Sequence, residues 1–323
     1  MIPGTPAARG AAPAAPPEWV ATRERGSTLL LRLYGWWSVW LGRPAGRVIL
    51  YVIAAYYFVF APRARTQMLQ YLRRALGRTP RAGDRFRLIL SFATAIHDRV
   101  YLLQERYELF DVTMEGHGLV EKLDARGEAA FLMGAHLGSF EVTRAVGRRR
   151  PGVRVAMAMY ERNARKVKAL FDTLSPQLAI DIIPLGTLDS MLQIGARLQA
   201  GIFVGVLGDR SFGAERYERV EFLGSPAWFP TGAMRAAALL RRPVIFMVGL
   251  YRGGNRYHVL FEQLADFTRT PRDQREAAVR LAVQRYARIL ERLCRSDPYN
   301  WFNFFDFWQP PAETAVAAGA AGP

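Results

Sequence analysis

The chain carries one cysteine, Cys294, in 323 residues. That excludes an intramolecular disulfide and a zinc site of the usual thiolate kind, and it points to a reducing compartment. Acidic residues are scarce: 28 Asp and Glu stand against 44 Lys and Arg, a formal net charge of +16 supplied mostly by arginine. Such an excess calls for anionic partners: nucleic acid, an anionic membrane surface or an acidic protein. No helix-turn-helix, RNA-recognition aromatic signature or zinc finger is visible, which turns the reading away from nucleic acid. The first residues are rich in Pro and Ala, and no short apolar run ends in a cleavage site, so the start does not read as a secretory signal. There is no GxSxG elbow to carry a serine nucleophile, and no internal repeat.

Half of the residues are hydrophobic, enough for a real core. Only residues 1–17 and 310–323, rich in Ala, Pro and Gly, read as unstructured, because neither can bury enough apolar surface to offset the entropy of ordering. Residues 18–110 read as a helical, membrane-associating region. Leu29 to Leu41 is Trp-rich and resembles an interfacial helix. Val48 to Ala61 is almost purely apolar, bracketed by Arg43, Arg47, Arg63 and Arg65. It falls short of the ~20 apolar residues that span a bilayer. It can lie in the interface, enter partway, span with help, or be a buried core helix. Residues 63–110 are periodic at helical spacing, with Pro80 and Gly83 dividing them into two helices.

Residues 111–309 read as an α/β domain, a central mixed sheet flanked by helices. Apolar runs at 129–135, 153–160, 178–185, 201–209, 243–251 and 257–264 are the strands. Helices are expected at 139–148, 163–175, 188–200, 231–241 and 271–295.

At the end of the first of these strands the sequence is MGAHLGSFEV. His136 leaves the strand, Gly138 permits a tight turn, Ser139 can cap a helix, and Glu141 falls in its first turn. In one continuous helix, His136 and Glu141 would point ~140° apart; the strand–turn–helix reading lets the imidazole fold back toward the carboxylate. Such a pair suits general-base catalysis, with one ring nitrogen held by the carboxylate and the other free to take a substrate proton. A satisfied histidine at a strand end is the bland alternative. Asp209 and Arg210 follow an apolar strand, where α/β proteins often place ligand contacts. Thr231 and Gly232 are expected at a helix N-terminus, able either to bind an anion or simply to cap. His97, His117 and His258 lack ligand spacing and read as structural. The basic runs 148–150 and 241–242 read as solvated faces able to meet anionic headgroups or an acidic carrier. The aromatic run 301–308 reads as packing over the core, or as one wall of an acyl groove.

HLGSFE resembles the H-x4-D/E motif of the lysophospholipid acyltransferase superfamily, in the branch of bacterial late lipid A acyltransferases and their relatives. MYERN (159–163), GDRSFG followed by VEFLGSPAWFPTGAMRAAALLRRPV, the closing PYNWFNFFDFW and the N-terminal ERGSTLLLRLYGWW agree in order and spacing across residues 20–308. Gly-Asp-Arg at 208–210 and the Asn and Asp of the C-terminal segment depart from the lipid A enzymes.

The resemblance implies a transfer of an acyl chain from acyl carrier protein or acyl-CoA to a hydroxyl or amine of a lipid or glycolipid acceptor. It places the work at the cytoplasmic face of the inner membrane, with no metal and no cofactor beyond the thioester co-substrate. On that model His136 is the base, Glu141 orients it, Arg162 and Asn163 bind the acceptor or a phosphate, and Asp209 and Arg210 line the cleft. Two other readings stay open: a thioesterase using the same cleft, and a basic, non-enzymatic protein that binds membrane or nucleic acid.

Overall fold

The structure is a computed structural model that describes residues 28–143, 153–160, 181–186, 189–210 and 216–311. Both compositionally biased ends, 1–17 and most of 310–323, lie outside the described residues, as do the expected helix 163–175 and the second half of 139–148.

Three helices come first: α1 (Thr28–Phe60), α2 (Pro62–Leu76) and α3 (Ala82–Leu103). The two segments expected at 29–41 and 48–61 are two helical halves of α1 that meet at Gly42, whose non-helical backbone (φ 77°) only glycine adopts cheaply, with Pro44 just beyond. The break between α2 and α3 starts earlier than Pro80, at Gly77, a left-handed C-cap with φ 63°. Among the described residues no single helix is long and apolar enough to cross a membrane. Gly42–Phe60 and Ala64–Leu76 pass that test only together, across a 100° bend.

The rest builds one seven-stranded sheet. In chain order its strands are β1 (Asp111–Glu115), β2 (Phe131–Gly134), β3 (Val155–Tyr160), β4 (Ile182–Leu185), β5 (Phe203–Leu207), β8 (Pro243–Tyr251) and β9 (Arg256–Asp266). A separate hairpin, β6 (Tyr217–Phe222) with β7 (Ser225–Pro230), stands apart. The sheet order is β1-β9-β8-β2-β5-β3-β4, parallel everywhere except between β8 and β9, so it is mixed as expected. Central strand β8 is buried over nearly its whole length, which explains its unbroken apolar sequence. The helices α4 (Gly118–Asp124), α5 (Ser190–Gln199), α6 (Gly232–Leu239) and α7 (Arg275–Ser296) complete the domain. In α7, Val279, Val283, Tyr286, Leu290 and Leu293 recur at helical spacing and are buried.

The helical region is tied to the sheet by a buried ion pair. Arg43 on α1 donates to both oxygens of Asp98 on α3, at 2.7 and 2.8 Å, and again to the Gly254 carbonyl. The Tyr257 hydroxyl of β9 donates to the same carboxylate at 2.7 Å. Removing one member leaves a buried charge unpaired. Asp98→Ala is therefore expected to cost about 3–5 kcal/mol, read from a denaturant midpoint at unchanged slope. Replacing both partners with apolar residues of similar size is expected to recover most of that loss.

Candidate active site

The site begins with a register. Strands β2 and β5 are parallel neighbours, with Gly134 opposite Leu207. Two residues further along each strand come His136 and Asp209, so both side chains leave the sheet at the same place. The Asp209 carboxylate accepts twice from His136, from its backbone N–H at 3.0 Å and from its ring Nδ1 at 2.9 Å. Trp301, fully buried, donates its indole N–H to the same carboxylate at 3.4 Å. Asp209 is itself buried, while the imidazole keeps 31% of its side-chain surface exposed. The strand ends are tied further by the Gly134 carbonyl, which accepts from Gly208 N–H at 3.0 Å and from the Tyr286 hydroxyl at 2.9 Å.

The segment after β2 is clamped from the C-terminal side. Phe302 N–H donates to the His136 carbonyl and Gly138 N–H to the Asn300 carbonyl, each at 2.8 Å. Asn300 in turn bonds both backbone groups of Tyr251 at the end of β8. Gly138 is required here. Its φ is +69°, and a Cβ would fall 2.1 Å from the Gly249 carbonyl oxygen. The aromatic run thus packs over the core, as Trp301 against Tyr71, Phe222 and Phe307 shows, and its backbone also holds the histidine loop.

The expected contact between His136 and Glu141 does not form. The helix after His136 does begin at residue 140, but the Glu141 carboxylate turns to Arg99 of α3, at 2.7 Å, with Ser139 Oγ at 3.4 Å. The physical reason is the register: Asp209 already occupies Nδ1, and the new helix carries Glu141 toward α3 instead. Arg210 donates to the Phe302 carbonyl at 3.0 Å and lies 5.0 Å from the Phe305 ring centroid, and its charge acts on the imidazole.

These charges set the ring's chemistry. Burial and the positive charge of Arg210 push the His136 pKa below its ordinary value; Asp209 works in the opposite direction, and Arg99 adds to the depression. Burial alone would raise the Asp209 carboxyl. The imidazole and Arg210 outweigh that and hold it at about 2. A neutral imidazole beside an ionised carboxylate, with Nε2 left over, is the state a general base needs.

The remaining expected residues divide. Arg162 and Asn163 lie outside the described residues. Thr231 and Gly232 do start α6, but the Thr231 hydroxyl donates to the Arg216 carbonyl at 2.9 Å and makes no cap. No hydrogen bond joins either residue to the His136–Asp209 pair. Among the described residues no group of three or more His, Cys, Asp or Glu gathers to hold a metal ion. Arg99 was missed because a lone arginine near the end of an amphipathic helix carries no motif. Trp301 belongs to the run read as packing or as a groove wall, and its indole hydrogen bond to Asp209 has no signal in the sequence.

A parallel-rich α/β sheet that gathers a histidine, a buried aspartate and Arg210 at the ends of β2 and β5, with the charge of Arg99 on α3 also acting on the ring, has the makings of a group-transfer site. The family model described as bacterial lipid A biosynthesis acyltransferase matches residues 22–309, and the chain belongs to that family. No curated protein is similar enough to match the chain. Because Gly138 has no room for a side chain, Gly138→Ala is expected to displace the His136 loop and lower acyl-transfer turnover on the order of 10²-fold. Steady-state kinetics with an unchanged far-ultraviolet dichroism spectrum checks this.

Proposed function

We propose that the chain moves an acyl group from an acyl carrier protein or acyl-CoA thioester to a hydroxyl or amine of a lipid or glycolipid acceptor. The observation that carries the reading is the 2.9 Å contact between His136 Nδ1 and a buried, ionised Asp209, which leaves Nε2 on the exposed side of the ring. His136 is the general base, and Asp209, rather than Glu141, holds its tautomer. Nε2 takes the proton of the acceptor hydroxyl or amine as the oxygen or nitrogen attacks the thioester carbon. The tetrahedral oxyanion then collapses, the carbon–sulfur bond breaks, and the imidazolium returns its proton to the departing thiolate. Arg210 lines the cleft where negative charge develops. The Glu141–Arg99 pair braces the start of the helix that follows His136. Arg162 and Asn163 stay assigned to the acceptor, on the family resemblance.

Work at the cytoplasmic face of an anionic inner membrane is part of the same reading. Its support is the outward face of α1, where Val48, Val52, Tyr56, Val59 and Phe60 stand exposed on a helix flanked by arginines.

His136→Ala is expected to abolish ester or amide formation from a purified acyl thioester while the fold persists. Full activity in that variant would overturn the assignment, and free fatty acid as the sole product would make the chain a thioesterase. The pH profile gives an independent check. The acid limb of kcat/KM reports His136, which is active when neutral. Asp209→Asn removes the group that raises the imidazole pKa, so the limb moves to lower pH while kcat falls about 10²–10⁴-fold. Arg210→Gln removes a charge that lowers the pKa, so its limb moves to higher pH.

A further inference from the structure

Among the described residues one buried arginine has no counter-charge. Arg85 on α3 is only 7% exposed, its guanidinium lies 3.8 Å over the Phe58 ring of α1, and its Nε is buried without a hydrogen-bond partner among the described residues. Among the described residues no ion pair involves it either. The contrast with its neighbours is sharp. Arg43 has Asp98, and Arg78 has Asp84. Between residues 43 and 87 there are ten arginines and a single acid, Asp84, and that acid is already committed to Arg78, the Tyr299 hydroxyl and the Arg81 backbone. Exposed Arg65 on α2 adds like charge, and burial together with that charge pulls the Arg85 pKa below its ordinary value. A buried cation without a partner is costly, and an anion beside it removes the cost.

The surroundings say what kind of anion. Phe58 lies on the half of α1 whose outward face exposes Val52, Tyr56, Val59 and Phe60. Arg65 follows directly on the 100° bend where that helix gives way to α2. An inorganic anion answers the charge and leaves the apolar face bare. An acidic protein segment brings charge but no apolar chains. A negatively charged phospholipid brings both, with its acyl chains along α1 and its headgroup at the bend.

We propose that Arg85 and Arg65 form a site for the phosphate of an anionic phospholipid headgroup, at the rim of the apolar face of α1. The site is separate from the chemistry: Arg85 and Arg99 are fourteen residues apart on α3, about 21 Å at ~1.5 Å per residue. The proposal rests on the membrane-surface part of the functional reading and not on the reaction assigned to His136.

The full chain is tested against phosphatidylcholine vesicles with and without phosphatidylglycerol. Wild type is expected to sediment with the phosphatidylglycerol vesicles and to gain thermal stability from them. Arg85→Gln and Arg65→Gln are each expected to weaken that binding about fivefold, the equivalent of ~1 kcal/mol per arginine, and to lose the thermal gain. Arg288→Gln, an equal charge change on an exposed position of α7, is expected to bind as wild type. Arg65 is exposed, so its variant reports on the site even where Arg85→Gln fails to fold. Wild-type binding by both arginine variants would overturn the proposal. So would equal losses in all three variants, equal binding to phosphatidylcholine alone, or the same thermal gain from inorganic phosphate. His136→Ala is expected to bind vesicles normally and Arg85→Gln to keep turnover on detergent-dispersed acceptor, so failure of the lipid site and failure of the acyl-transfer reading are told apart.

Discussion

The pairing of His136 with Asp209 depends on one constraint, the parallel register of β2 and β5. With Gly134 opposite Leu207, residues two places beyond each strand must emerge side by side. Everything else at the site supports that meeting. The Gly134 carbonyl is held by Gly208 and Tyr286, the His136 carbonyl by Phe302, and the Asp209 carboxylate by Trp301 as well as the histidine. Asp209 thus faces a set of donors that leaves it ionised although it is buried. A buried carboxylate without them would take up a proton and lose its hold on the ring.

The same arrangement separates two roles that one carboxylate was expected to fill. Asp209 sits on the ring nitrogen and comes from a neighbouring strand. Glu141 comes from the helix that follows the histidine and pairs with Arg99 of α3. The two carboxylates thus tie the His136 loop in different directions, one into the sheet and one toward the helical region. Arg43 and Asp98 tie α1 to that region just one residue before Arg99. The apolar N-terminal helix and the His136 loop are therefore both fastened to the same end of α3.

Much of this was legible from residues alone where a local pattern carries the information. The strands β2, β3, β5, β8 and β9 lie inside the apolar runs or match them closely, because buried strands need unbroken apolar sequence. Helices α5, α6 and α7 fall where periodicity places them. Three features escaped for physical reasons. Strand β1 is mostly exposed on its burial pattern and so carries no apolar run. The strands of the β6–β7 hairpin carry Glu218, Arg219, Glu221, Pro226 and Pro230 in place of an apolar run, although the Phe-Leu-Gly turn between them is legible. The partner of His136 escaped because parallel register is a long-range property: His136 and Asp209 are 73 positions apart, and nothing near either residue says which strands are neighbours. Asp209 stands out in the sequence by its strand-end position, and its contact with the histidine is visible only in the fold.

The most direct measurement is nitrogen-edited NMR of the His136 imidazole. The account expects a neutral ring protonated at Nδ1, with a downfield Nδ1–H signal that survives Glu141→Gln and disappears in Asp209→Asn. A signal lost in Glu141→Gln and kept in Asp209→Asn would contradict it.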